Sequence, residues 1–302
     1  MTHMDNPQMD SLEQVSPSKK PCIALMGEFS AGKSTLSNLL IGQSPLPVKV
    51  TATQLPPVRI SYGDQPAWRE DLDGTVHEIE LDALSGISPA ETRLVQIFVE
   101  ADLLRLCDLI DMPGISDPNM AADVWEGVIV QADGVIWCTH ATQAWRQSEA
   151  AVWDMFACDL ARSSLLLLTR FDKLISEEDR ARVLRRVKRE TEGLFSGVLP
   201  ISLTEAVDGR NDWDLWTRSG AEEFSQAFVD LLAGLRGEAD PDDPFDTLPA
   251  DFGARPPAPA PEAPPVPEQE NAAICPRRVQ LESGRGRSLR PSAAEDRPRF
   301  PL

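Results

Sequence analysis

The nine residues Gly27-Glu28-Phe29-Ser30-Ala31-Gly32-Lys33-Ser34-Thr35 restrict what this chain can fold into more than any other stretch. They fit the pattern of a glycine, four free positions and then Gly-Lys-Ser. Gly27 and Gly32 permit backbone angles that turn several N–H groups toward one polyphosphate. Lys33 then reaches the outer phosphates as a point charge, and the Ser34 hydroxyl is a ligand for Mg²⁺. The flanks supply the context that the pattern needs. Cys22 to Met26 is a short apolar run of the kind that forms a buried parallel strand. Ser34 to Ile41 reads as a helix stopped by Gly42, with Leu36, Leu39 and Leu40 on its inner side. A helix N-terminus facing the loop adds its dipole to the anion site. Nucleotide binding is the expectation that follows.

Composition narrows the rest. The chain has 302 residues, room for one large or two ordinary domains. Its formal net charge of −19 argues against binding nucleic acid or an anionic membrane through bulk electrostatics. No apolar run approaches the roughly 18 residues of a membrane span, so no integral membrane segment is expected. Peripheral membrane contact stays open. Met1 to Lys20 is polar, without the hydrophobic core of a signal peptide, and reads as a flexible leader. The five cysteines (Cys22, Cys107, Cys138, Cys158, Cys275) are scattered and lack metal-ligand spacing. They suit reduced core thiols and a cytoplasmic protein. His140 follows an apolar strand and reads as a satisfied core or loop histidine rather than a catalytic one.

Along the chain, Gln43 to Pro57 carries four prolines and two threonines, Thr51 and Thr53, and reads as a flexible loop. Val58–Tyr62, Val76–Leu81 and Leu94–Glu100 have strand character. Leu103 to Ile110 leads, as an apolar strand, into Asp111-Met112-Pro113-Gly114. A helix is expected over Met120–Ala132, a strand over Gly134–Cys138 and helical spacing over Gln147–Cys158. A nearly unbroken apolar strand follows at Ser164–Thr169, and Ser176 opens a helix running through Glu192. The many arginines of that helix suit a solvated surface, with an anionic docking face as the alternative. Val198–Ser202 reads as the last core strand and Ala221–Leu235 as the last amphipathic helix. This alternation predicts an α/β fold, a P-loop NTPase three-layer sandwich with a mainly parallel central sheet. The domain runs over 21–236. From 237 to 302 the composition turns acidic, then proline-rich, then rich in Arg, Ser and Gly, which reads as a disordered tail.

Two further motifs bear on nucleotide chemistry. An acid at a strand end such as Asp111 can hold Mg²⁺ through water, and the Gly114 N–H can meet a γ-phosphate; alone, the same residues are an ordinary turn. Thr169-Arg170-Phe171-Asp172 follows another core strand. Asp172 can accept two hydrogen bonds from N1–H and the exocyclic amine of guanine, which adenine does not offer in that pattern. The stem of Arg170 can lie over the base. This favours GTP over ATP. A threonine of the 43–57 loop, Thr51 or Thr53, can ligate Mg²⁺ and fix the attacking water through its backbone; the residues themselves do not choose between them.

The run Gly27 to Thr35, then Leu46-Pro47 with Val50-Thr51, Tyr62-Gly63, Asp111 to Gly114 and Thr169 to Asp172, resembles the GTPase domain of dynamin-like proteins, especially the bacterial ones. The resemblance covers 20–237. It implies that Ser30, Lys33 and Thr51 are catalytic. Ser30 would contact the bridging oxygen and help hold a monovalent cation, K⁺ or Na⁺. Lys33 would bind the β- and γ-phosphates. Gly27, Glu28, Phe29, Ala31, Gly32 and Thr35 complete the loop around GTP or GDP. Ser34 and Thr51 would ligate Mg²⁺, which Asp111 would also serve; Asp111 and Gly114 would sense the γ-phosphate, Asp172 would select guanine, and Thr169 and Arg170 would belong to the same nucleotide-binding set. Ser202 falls at the family's weaker base-side loop. Ile115 stands where Ras-like enzymes carry a water-positioning glutamine, which suits a site completed by dimerisation of GTPase domains or by another dynamin-like protein. Three departures qualify the resemblance. Arg170 replaces the usual Lys, Phe29 stands where eukaryotic members often carry a polar residue, and long stalk helices do not follow the domain. The implied activity is GTP hydrolysis. A nucleotide-dependent binding module with negligible hydrolysis, or an ATP-using P-loop protein, are the alternatives.

Overall fold

The computed structural model describes residues 20–42, 55–116 and 122–236. All of them belong to one unit of the chain; a second unit begins at Ala258 and lies outside the described residues. The expectations for the leader, for Thr51 and Thr53 and for the tail also fall outside them.

In order, the elements are β1 (Cys22–Gly27), α1 (Lys33–Ile41), β2 (Val58–Tyr62), β3 (Ala67–Asp71), β4 (Val76–Ile79), β5 (Thr92–Val99), α2 (Leu103–Leu106), β6 (Asp108–Asp111), α3 (Ala122–Ile129), β7 (Gly134–His140), α4 (Gln147–Trp153), α5 (Ala157–Leu160), β8 (Ser164–Thr169), α6 (Glu177–Glu190), β9 (Gly197–Pro200), α7 (Leu203–Asp208), α8 (Trp213–Arg218) and α9 (Ala221–Arg236). The nine strands among the described residues form one sheet ordered β4-β3-β5-β2-β6-β1-β7-β8-β9. The β6-β1-β7-β8-β9 half is parallel throughout. β2 and β5 are parallel to each other, and β2 meets β6 antiparallel. The fold is therefore α/β with a mainly parallel sheet.

Strand alternation makes the three layers. All six residues of β1 are buried, as a strand covered on both faces requires. Ile23 and Leu25 point into one core with Leu36 and Leu39 of α1 and Phe224, Phe228 and Leu232 of α9. Cys22, Ala24 and Met26 point into the opposite core with Val128 of α3, Trp153 of α4 and Val187 of α6. Truncating a side chain such as Leu36 in so closed a layer costs about 2–5 kcal/mol.

The structure departs from the periodicity at several places. Leu103 to Leu106 is a helical turn, because Leu103, Leu104 and Leu106 all reach one core from a helix; the strand begins only at Asp108. β4 ends at Ile79, and Leu81–Gly86 is a 3₁₀ turn. The helix opened by Gln147 stops at Trp153 and resumes at Ala157. β9 ends at Pro200, and Ser202 caps α7 instead of continuing the strand. β3, with the sequence AWRED, was not foreseen. Its charges suit the strip of sheet beside the edge strand β4, where antiparallel ladders to β4 and β5 hold it. The short α7 and α8 were also missed, although Asp212 caps α8 through Asp214 and Leu215 N–H.

β1 lies between β6 and β7, so the chain leaves it to one side and later returns on the other. The crevice at the C-terminal ends of such diverging strands is where open α/β sheets bind ligands. The loops after β1, β6, β7, β8 and β9 all emerge at this edge.

Candidate functional site

These loops enclose a cleft of about 640 Å³, within the range of small-molecule sites. Residues 29–35 form its floor, Asp111 to Gly114 one wall, and Thr169, Arg170, Asp172 and Lys173 the far end. Gly27, Glu28 and Ser202 do not line the cleft; they stand just behind it.

The loop's shape is forced by its neighbours. Gly27 has φ +134°, and a Cβ there would lie 2.0 Å from the Cys138 carbonyl oxygen of the adjacent strand β7. Only glycine lets β1 turn out of the sheet against β7. Ser30 holds a left-handed φ of 57°, braced by Arg170, whose guanidinium donates to the Ser30 carbonyl at 3.1 Å. Thr169 Oγ1 donates to the Ala31 carbonyl at 2.8 Å and so pins the loop to β8. Arg170 is itself left-handed at φ 54°.

Lys33 is buried, and its ammonium donates to the carbonyls of Gly27 (3.1 Å) and Glu28 (2.9 Å). Burial lowers its pKa, opposed by the negative charge of Asp111. Asp111 is buried at the end of β6; burial raises its pKa, opposed by Lys33 and by the hydrogen bond from Ser34 Oγ at 3.0 Å. Two hard oxygen donors this close, on a helix N-terminus and a strand end, fit a Mg²⁺ that takes its remaining ligands from phosphate and water. Gly114 packs against the loop so closely that a Cβ would come within 2.9 Å of Phe29 N, and Ile115 N–H donates to the Gly27 carbonyl at 3.2 Å. The Asp111–Gly114 turn therefore rides directly on the phosphate loop.

At the far end, Asp172 accepts from Ser202 Oγ at 3.1 Å and pairs with Lys173 Nζ at 2.9 Å. Burial works against ionisation, but these partners hold the carboxylate below its usual range. Leu203 and Thr204, at the start of α7, also line the cleft. Neither carried a motif that sequence reasoning could use. His140 is closer to the chemistry than expected. It ends β7, and its imidazole meets the backbone of Phe29 and Ser30; burial, with Arg170 and Arg146 nearby, keeps its pKa low. Its position after the core strand that flanks β1 was the available signal. Behind the loop, Cys138 is a buried thiol whose pKa burial pushes up to about 12, so it is inert packing.

A mainly parallel sheet with a glycine-rich loop after β1, an acid-Met-Pro-Gly turn after β6 and an acid shortly after β8 has the architecture of the P-loop NTPase fold. Residues 23–155 match the dynamin family. Dynamin-like protein 2 of Campylobacter jejuni (strain 81-176) is 28% identical over 192 residues, which are 62% of this chain and 31% of that protein. Two solved structures of an oligomerised bacterial dynamin pair, described as a mechanism for long-range sensing and tethering of membranes, superpose with TM-scores of 0.56 and 0.57. Each is 19% identical and covers 72% of this chain and 40% of its own. The 23–155 segment is thus similar to the dynamin family, and the fold to that of bacterial dynamins. The chain spans about a third of the length of its curated relative. Among the described residues, no helix is long and apolar enough to cross a membrane.

Proposed function

We propose that this domain binds GTP with Mg²⁺ and hydrolyses it to GDP and phosphate in the cytoplasm, at a rate raised when two GTPase domains pair. The partner is a second copy or another dynamin-like protein. The observation that carries this reading is the convergence of Lys33, the Ser34–Asp111 pair, Gly114 and Asp172 on one cleft.

The residues divide the work. Asp172 accepts the two guanine N–H groups, while the Arg170 stem covers the base and Ser202 steadies the carboxylate. The loop N–H groups of residues 29–34 and Lys33 hold the β- and γ-phosphates, and Lys33 exchanges its loop carbonyls for phosphate oxygens. Ser34 and Asp111 would hold Mg²⁺, which neutralises charge on the phosphate oxygens. Water attacks the γ-phosphorus in line, the bond to the bridging oxygen breaks, and the charge left on that oxygen meets Ser30 and Lys33. The Thr51 backbone is assigned the orientation of that water, and K⁺ or Na⁺ beside Ser30 the compensation of charge. Gly114 N–H contacts the γ-phosphate.

The test is hydrolysis of GTP and of ATP at several protein concentrations, with K⁺ and Mg²⁺ present, for wild type and Lys33→Ala. GTP-specific turnover that rises per molecule with concentration and vanishes in Lys33→Ala supports the reading. Turnover of ATP at least equal to GTP replaces it with an ATP-using protein. One feature favours a second reading, a nucleotide-dependent binding module. Beyond Gly114 the turn carries Ile115, which cannot orient water. Tight GTP binding with negligible turnover at every concentration would select that module.

A further inference from the structure

Glu28 is the one acid of the phosphate loop, and its side chain turns away from the cleft. It is 8% exposed. One carboxylate oxygen accepts from Ser116 Oγ, two residues past Gly114 in the turn that follows β6. The other accepts from Ser148 Oγ at 2.9 Å, in the first turn of α4. A single buried carboxylate thus joins three elements: the phosphate loop, the turn whose Gly114 lines the cleft, and a helix outside the cleft. Each hydroxyl occupies its own oxygen, and a charged acceptor makes both bonds stronger than neutral ones.

The surroundings leave the link little slack. Gly114 already touches Phe29, and Ile115 is bonded to Gly27, so the turn cannot shift toward a third phosphate without moving Ser116 against Glu28. Glu28 cannot follow freely, because Gly27 is wedged against Cys138 of β7. On the other side α4 is equally braced. Glu149, beside Ser148, accepts from Trp137 Nε1, Thr139 Oγ1 and the Arg146 N–H, each at 3.0 Å. A helix start held this firmly moves as a unit or breaks its bond to Glu28.

We propose that Glu28 is a positioning residue that ties the turn at 112–116 to the start of α4, so that α4 responds to whether a γ-phosphate is present. This rests on the guanine-nucleotide reading above, and Ser148, outside the cleft, allows the two to be separated. The experiment is hydrogen–deuterium exchange of the full chain with GDP and with a non-hydrolysable GTP analogue, for wild type, Ser148→Ala and Ser148→Thr. Affinities for both nucleotides are measured alongside with fluorescent derivatives. In wild type, exchange within Gln147–Trp153 should differ between the two nucleotides by about fivefold or more, the lower range of coupling between sites. Ser148→Ala should lose that difference while still binding both nucleotides, and Ser148→Thr, which keeps a hydroxyl, should retain it. An α4 that responds equally in wild type and Ser148→Ala, or never responds, overturns the proposal. So does loss of the response in both variants, because the hydroxyl is then not what matters. Absence of guanine-nucleotide binding in wild type overturns the reading underneath it, and with it the link.

Discussion

Asp172 has two partners before any base arrives, and both matter for what it does. Ser202 approaches one carboxylate oxygen and Lys173 the other. Lys173 is 66% exposed, so that pair is weak and yields to a base at little cost. Asp172→Asn should therefore fold and should move preference from guanosine toward xanthosine nucleotides, because an amide donor suits the C2 carbonyl of xanthine. Competition binding with GTP and XTP checks this, and unchanged preference removes the guanine assignment. The same carboxylate predicts a pH effect. Its folded pKa lies below the unfolded value of about 3.9, so its contribution to stability is complete above that pH. It is lost as pH falls through the folded value. Denaturant melts of wild type and Asp172→Asn should converge on acidification through that window; parallel curves would refute the shift.

At the scale of elements, the join between β7 and α4 is the most exacting. Glu149 is 1% exposed and accepts three hydrogen bonds, two from side chains of β7 and one from the backbone N–H of Arg146 just before α4. Glu149→Ala strands Trp137 Nε1, Thr139 Oγ1 and one backbone N–H in the core and should cost about 3–5 kcal/mol, read from chemical unfolding. Gly27→Ala makes a parallel case on the same stretch of β7, at Cys138 between Trp137 and Thr139. A methyl group 2.0 Å from a carbonyl oxygen, at φ +134°, should cost on the order of 3 kcal/mol and lower the melting temperature. An unaltered melting temperature would show that β1 and β7 can part. How far these elements were legible depended on burial. Strands covered on both faces, such as β1 and β8, stand out as apolar runs. β3 and α8 are partly exposed and charged, and their identity comes from a neighbouring ladder or a cap rather than from their own pattern.

For the whole molecule, nucleotide and stability are linked through mass action. A ligand at about 100 times its dissociation constant stabilises the folded state by about 2.7 kcal/mol. For a domain of this size that raises the melting temperature by about 5–10 °C. GTP with Mg²⁺ should do so and ATP should not; equal shifts, or none, would count against guanine recognition. The residues that set this site divide by how far apart in sequence they act. Gly27 to Thr35 encodes strand, turn and helix within one short stretch, so local spacing alone determined the phosphate loop, and the apolar runs around it determined a parallel α/β sheet. That Asp111, Gly114 and Asp172 share the cleft was legible because each ends or closely follows such a run. The partners of Glu28 were not, since Ser148 lies 120 positions away and an isolated serine carries no periodic signal. Leu203 and Thr204 likewise reach the cleft, and His140 the backbone of Phe29 and Ser30, only because the sheet order sets β7 beside β1 and brings α7 behind the loop. Periodicity records which face of an element is buried; which elements face each other is decided when the layers close, and there the acid of the loop found its two hydroxyls.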